Sequence, residues 1–301
     1  MKTVLVTGGT GLIGKHLCHF LKQSGYHVAI LSQIKHNKSE FPVFYWNWKK
    51  QEIDETALQN SDYIIHLAGA NIAGQRWSDS RKKLILDSRV QSTLFLQKKI
   101  KELNLSPSAF ISASAVGYYG MITDSHIYKE SDSPADDFLG DVCAKWENAA
   151  TQVYDPRIRT VQLRTGIVLT SKGGALQKMT QPIQAGIGSP LGSGKQFIPW
   201  IHIDDLCQMY LDAIQNTHLH GAYNASAPEH HTNRSFTKTI AQKLNRPIWL
   251  PPVPAFVLKM IFGDMAKLLL YGSRASSEKI KSTGFSFKYP ELKAALDDLL
   301  S

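Results

Sequence analysis

Cysteine is scarce in this chain of 301 residues, with only Cys18, Cys143 and Cys207, widely separated. An odd count with no Cys-x-x-Cys spacing argues against a disulfide framework or a zinc–thiolate site. A reducing, cytoplasmic setting is expected, and no metal centre. Long apolar runs are also lacking. The most apolar neighbourhood, Ala255 to Leu270, is broken by Lys259, Asp264 and Lys267, which makes it too short and too charged to span a bilayer. The start, Met1 to Val6, runs into Gly8, Gly9, Gly11 and Gly14 with no small-residue cleavage site, so it does not read as a secretory signal, and no membrane partner is expected.

Acidic residues are outnumbered, 25 against 34 Lys and Arg, for a formal net charge of +9. The excess is scattered. Its densest clusters, Lys35–Lys38, Arg81–Lys83 and Lys98–Lys101, are short, and no helix-turn-helix, zinc finger or RNP-type aromatic run accompanies them. A small anionic ligand is expected as the partner, rather than nucleic acid. What remains is an ordinary folded composition, 43% hydrophobic, long enough for one large domain or two interlocked ones.

Short apolar runs alternate with helical periodicities. Thr3–Thr7 reads as a buried strand stopped by glycine, and 11–23 as a helix carrying Leu12, Ile13, Leu17, Phe20 and Leu21 on one face. Further strands are expected at 27–31, 43–46, 62–67, 109–112 and 159–163, with helices at about 78–103 and 138–154. This alternation predicts an α/β fold, a Rossmann-type doubly wound parallel sheet. Beyond Arg164, glycine and proline accumulate. The run Phe197 to Ala213 reads as strand then helix, as if the chain returns to the first sheet. The expected organisation is a cofactor domain of 1–165 plus about 197–226, and a smaller interwoven substrate lobe of 166–196 plus 227–301.

The strongest chemical signal is Thr7-Gly8-Gly9-Thr10-Gly11-Leu12-Ile13-Gly14, following a strand and opening a helix. Gly8 makes the tight turn, Gly11 lets the backbone approach a pyrophosphate, and Gly14 lets helix and strand pack closely. No Gly-Lys-Ser/Thr follows, so this is not a P-loop. An NAD site usually carries a carboxylate at the end of the second strand; here stand Ser32 and Gln33, followed by Lys35, His36 and Lys38. Nothing there repels a 2′-phosphate, so NADP (NADPH) is the expected cofactor.

That loop, Leu67-Ala68-Gly69 and the segment Ser112 to Gly120 resemble the extended and atypical short-chain dehydrogenase/reductases. The wider pattern includes Leu67 to Ala73, Ser88-Arg89-Val90, Cys143 with Trp146-Glu147, Leu163 to Leu169, Gly173 to Leu176 and Trp200 to Asp205. It resembles the epimerase family of that superfamily, nucleoside-diphosphate-sugar epimerase-like proteins, over nearly the whole length. The resemblance implies cofactor contacts from Gly8, Thr10, Gly11, Leu12 and Ile13, from Ser32, Gln33 and Lys35, and from Leu67, Ala68 and Gly69, with Arg89 and Ile167 closing over the cofactor. Relatives often carry arginine at Gln33, which makes Lys35 its substitute here. It also implies oxidoreduction or epimerisation of a small anionic, nucleotide-sugar-like substrate, and pairing of subunits through the long helices.

One expected feature is absent. Such enzymes hold a Tyr-x-x-x-Lys pair in the helix spanning 138–147, the lysine assisting the tyrosine as acid or base. Aligned on Glu147, the pair becomes Leu139 and Cys143; aligned on lysine, it becomes Asp141 and Lys145. Ser114 stands where the substrate-orienting hydroxyl is expected, and Tyr118 is a phenol near it that serves as candidate acid. The alternative is a catalytically decayed NADP-binding regulator.

Overall fold

The computed structural model describes residues 1–34 and 39–301. In β1 (Thr3–Thr7), Val4 and Val6 join the core on one face of the sheet and Leu5 the core on the other, all fully buried. A strand apolar on both sides needs cover on both sides, which is what a doubly wound sheet provides.

The first half of the chain continues with α1 (Leu12–Gln23), β2 (His27–Ser32), β3 (Val43–Asn47), β4 (Glu52–Ile53), α2 (Glu55–Gln59), β5 (Tyr63–His66), α3 (Asp79–Glu102) and β6 (Ala109–Ala115). After a 3₁₀ turn at Val116–Tyr119 come β7 (Ile127–Tyr128), α4 (Phe138–Thr151), β8 (Arg159–Thr165), β9 (Ile167–Leu169), α5 (Gly174–Gln184), β10 (Phe197–Ile198), β11 (Trp200–His202), α6 (Ile203–Gln215) and β12 (Gly221–Ala225). The remainder holds β13 (His231–Thr232), α7 (Asn233–Lys243), α8 (Ala255–Phe262), α9 (Lys267–Leu270), β14 (Arg274–Ala275), α10 (Glu278–Lys281) and α11 (Leu292–Leu299).

Eight strands form the main sheet in the order β12-β8-β6-β5-β1-β2-β3-β4, parallel throughout except for β4 against β3. The winding reverses between β1 and β5, where Thr7 pairs with His66, and a ligand crevice belongs at the carboxyl ends of those two strands. Helices α1 and α6 cover one face with Leu17, Leu21, Leu206 and Tyr210; α3 covers the other with Phe95, Leu96 and Ile100. A separate core around Trp200, Phe236, Ile240, Leu292 and Leu296 lies in the later chain. In β11, Trp200 belongs to that core and Ile201 to the sheet's core, so a single strand joins the two.

Two expectations need correction. Helix α4 stops at Thr151 instead of reaching Tyr154. The Asp155 carboxylate accepts from the Arg157 N–H at 2.9 Å and grips its guanidinium, building a turn around Pro156 in place of another helical turn. The chain also does not rejoin the main sheet at Phe197. There β10 pairs with β13 and β11 with β9, and the return comes later, at β12 against β8. Gly166 causes the switch. A Cβ there would lie 2.5 Å from the Pro199 oxygen, so the two segments meet only at a glycine, where the strand exchanges β12 for β11 as partner. His202 caps α6 by accepting the Asp204 N–H at 3.1 Å, and its ring packs 3.9 Å from that of Tyr289.

Candidate functional site

At the end of β1 the chain turns through Gly8, whose φ of 69° suits glycine, and Gly11 N–H closes the turn on the Gly8 oxygen at 2.9 Å. Gly14 lies against that same oxygen. A Cβ would come within 2.2 Å of it, so any other residue forces helix and strand apart. Helix α1 begins with Gly11 as its N-cap, with no side-chain cap and no acid in the first turn. Its free N–H groups and positive dipole end are open to an anion. Thr10 and Ile13 are half-buried; Leu12 is exposed and packs against Gly174, where a Cβ would be 2.9 Å from Leu12 Cδ2. The start of α5, likewise uncapped at Gly173, therefore meets the start of α1.

A buried hydrogen-bond chain holds the floor of this crevice. Thr7 Oγ1 accepts the Leu67 and Ala68 N–H groups, each at 3.1 Å, and lies 2.7 Å from His66 Nδ1. With both N–H bonds accepted, its own proton goes to Nδ1, so His66 carries its proton on Nε2 and donates to Ser92 Oγ at 3.1 Å. Ser92 in turn donates to the Ser88 carbonyl at 2.7 Å. Burial, followed by the nearby Arg89 charge, drives the His66 pKa down to about 3 and keeps the ring neutral.

Arg89 crosses the rim above. Its Nη1 donates to the Ala70 and Ile85 carbonyls at 3.1 and 3.0 Å, and its guanidinium lies 5.1 Å from the Trp146 ring centre. Gly69 runs directly beneath it, where a Cβ would approach Cζ to 3.2 Å. Burial lowers the Arg89 pKa, and among the described residues no carboxylate pairs with it. A half-desolvated cation without a counter-ion is costly, and a ligand phosphate would relieve that cost. At the end of β2, Ser32 is buried and Gln33 exposed; Lys35 lies outside the described residues. An uncapped helix start, a cradle that a Cβ would fill and an unpaired arginine together fit a dinucleotide diphosphate.

Beside this crevice Ser114, the penultimate residue of β6, is buried and donates to Glu147 Oε1 at 2.6 Å. Glu147 also takes Arg164 in a two-pronged pair at 2.8 and 2.8 Å. Arg164 Nη1 reaches the Tyr119 hydroxyl at 3.0 Å, and Tyr119 donates to Asn224 Oδ1 at 2.6 Å. Burial works against the charge of Arg164, but Glu147 outweighs it and the pKa rises. Burial pushes Tyr119 up to about 12, so it stays protonated at neutral pH and is no base, and its proton is committed to Asn224. Tyr118 is half-buried, its ring centre 3.4 Å from Arg164 Cζ and its ring nearly perpendicular to that of Tyr119.

The geometry decides between the two alignments of α4. Asp141 and Lys145 are exposed and pair with one another at 2.8 Å. Leu139 and Cys143 are buried and line Gly117, where a Cβ would meet the Leu139 Cβ at 3.4 Å and Cys143 Sγ at 3.7 Å. The positions facing Ser114's turn thus hold an alkyl group and a thiol. Burial, then Glu147, pushes that thiol up to about 12, so Cys143 is no nucleophile. The Glu147–Arg164–Tyr119–Asn224 network is the feature that reading the sequence missed. Its one signal was an arginine inside the strand-like, Val-, Leu- and Ile-bearing run Val161 to Leu169.

A parallel doubly wound sheet with a glycine-turn crevice at its switch point defines a Rossmann-type nucleotide-binding fold. The NAD dependent epimerase/dehydratase family model matches residues 4–140, and a domain of unknown function matches 253–299. An "Epimerase family protein" of Staphylococcus aureus (strain MRSA252) is 38% identical over the full length of both chains, and the Bacillus subtilis "Epimerase family protein YfhF" is 36% identical over 99% and 98% of the two. The human epimerase family protein SDR39U1, solved with NADPH, superposes with a TM-score of 0.89 at 34% identity, covering 99% of this chain and 98% of that one. The Thermus thermophilus UDP-glucose 4-epimerase complexed with NAD, 22% identical with a TM-score of 0.76 and coverage of 99% on both sides, shares the fold. The chain belongs to the epimerase family.

Proposed function

We propose that this protein binds NADP(H) in the glycine-turn crevice and performs oxidoreduction or epimerisation on a small anionic substrate in the adjoining cleft. Two features carry this reading, the uncapped start of α1 and Arg89 against Gly69: they offer free N–H groups and a positive charge that no carboxylate pairs with among the described residues. Ser32 and Gln33 meet the adenosine ribose; Lys35, outside the described residues, is assigned to the 2′-phosphate from its sequence position alone, and the NADPH named with the human relative supports the choice of cofactor. Leu67, Ala68 and Gly69 line one wall and Ile167 the other. Bound there, the cofactor supplies or accepts hydride. The lobe of 1–165 plus about 197–226 holds it, and the lobe of 166–196 plus 227–301 holds the substrate. Residents of this class with nucleotide-sugar ligands, such as the MoeE5 complex with UDP-glucose and NAD, support the substrate type. Three buried, free cysteines suit a reducing, cytoplasmic setting.

Within the cleft, Ser114 gives its proton to Glu147 and keeps lone pairs to accept a substrate hydroxyl. Tyr118, clamped face-on by Arg164, is the phenol left to move a proton. The test is loss of reduced-nicotinamide absorbance against a panel of anionic carbonyl substrates, together with chromatographic detection of the epimer from nucleotide sugars, since epimerisation returns the hydride and consumes no cofactor. Ser114→Ala and Tyr118→Phe are run alongside. Turnover that falls at least about tenfold in each variant supports the assignment; turnover untouched by both overturns it.

A second reading has its own observation. Leu139 and Cys143 leave the usual acid–base pair without either group. Tight NADPH binding with no turnover across the panel points instead to a cofactor-sensing regulator.

A further inference from the structure

Helix α8 departs from the rule that apolar side chains are buried. Its sequence is Ala-Phe-Val-Leu-Lys-Met-Ile-Phe, yet of these only Leu258 is buried. Phe256 and Met260 are each 69% exposed and Ile261 52%. Ahead of it in the chain, Trp249 is 68% exposed, its indole N–H fixed by the Gly186 carbonyl at 3.1 Å, and the adjoining Ile187 is 61% exposed. This face is held rigidly. Arg76 binds the Met260 carbonyl, Lys82 takes Asp264 at 2.7 Å, and Met265 is buried in one cluster with Trp77 and Leu139.

The charges around it have one sign. Between Arg246 and Glu278 the chain has a single acid, Asp264, and Lys82 engages it. Lys259 and Lys267 are exposed and have no carboxylate partner among the described residues. Phe256, Lys259 and Met260 stand at i, i+3 and i+4, so the ammonium rises from the middle of the apolar stripe. None of this serves the cofactor crevice.

We propose that the outer face of α8 docks on an anionic lipid bilayer surface. Phe256, Met260 and Ile261 enter the boundary between headgroups and acyl chains, and Lys259 and Lys267 meet the headgroup phosphates. The absence of a spanning helix does not bear on such contact, since a short helix lying in the interface needs only an apolar face and a basic rim. A second copy of the chain fits less well. A two-fold contact through this face brings each Lys259 toward its own copy, between molecules of net charge +9.

The test is flotation of the purified full chain with vesicles of phosphatidylcholine mixed with phosphatidylglycerol, against phosphatidylcholine alone. Binding to the anionic vesicles only, weakened by salt and at least about tenfold weaker in Phe256→Glu/Met260→Glu and in Lys259→Glu, is the expected result. Both variants keep the melting temperature and NADPH binding, because these side chains are largely in solvent. No flotation of the parent protein overturns the proposal, as does flotation unchanged in the variants. Concentration-dependent dimerisation abolished by the same substitutions, with no flotation, also overturns it and assigns the face to a second copy. Cofactor binding is a separate measurement, so neither failure hides the other.

Discussion

At the scale of single residues, the candidate active site is governed by one buried ion pair. Arg164 is 3% exposed and holds Glu147, Tyr119 and the face of Tyr118 at once. Removing the negative partner leaves a buried guanidinium uncompensated, which costs more than the pair contributes. Glu147→Gln is therefore expected to lower the unfolding free energy by about 3 kcal/mol or more. Urea denaturation reads this directly, and a loss under about 1 kcal/mol means that the pair is solvated or replaceable. The same pair constrains chemistry. A serine that orients a carbonyl must donate, and the Ser114 proton is already given to Glu147 at 2.6 Å. Either that bond opens when substrate arrives, or Ser114 acts as an acceptor only.

At the scale of elements, the buried chain from Thr7 through His66 and Ser92 to the Ser88 carbonyl ties β1 and β5 to α3 beneath the crevice. It works only with neutral His66, whose pKa is about 3 in the fold against an ordinary value of 6.5. A depressed histidine pKa means that the unfolded chain takes up the proton first. The stabilisation is complete above about pH 6.5 and is lost progressively as pH falls toward 3. His66→Gln keeps an acceptor and a donor without titrating. Its stability is expected to change less than that of the parent between about pH 7 and 5, measured by urea unfolding at several pH values. Equal slopes mean that His66 is not the titrating group.

The same elements show what could be read in advance. Strand β1 and helix α1 were legible because a β-branched run, a glycine turn and a helical period coincide there. Strand β12 was not. Gly-Ala-Tyr-Asn-Ala has little strand preference of its own, and partners distant in sequence hold its outer edge. The Glu130 carboxylate takes the Asn224 N–H at 2.8 Å, and Lys279 takes the Ala222 carbonyl at 2.7 Å, closing an edge otherwise open to pairing. The partner switch at Gly166 was equally hidden, since it depends on the close approach of Pro199. In the site, the glycine turn could be derived from spacing, whereas the Arg164 network joins α4, β8 and β12 and exists only once they pack.

At the scale of the whole molecule, two cores share β11, and the crevice lies where the main sheet's winding reverses. The excess of nine positive charges divides its work accordingly. Arg89 lies against Gly69 with no carboxylate partner among the described residues, and Lys259 and Lys267 rim an apolar face on the later chain. The proposed occupant of the crevice is NADP(H), and calorimetric titration of the full chain with NADPH and NADH is the decisive measurement. The expected result is saturable binding of NADPH, at least roughly tenfold tighter than NADH. Gly11→Val should abolish it at a modest cost in melting temperature, because Gly11 is exposed but a Cβ there meets the Gly8 oxygen at 3.2 Å, tighter than an ordinary contact. Absence of saturable binding by either nucleotide, or binding unaffected by Gly11→Val, would rule out the glycine turn as an NADP(H) site.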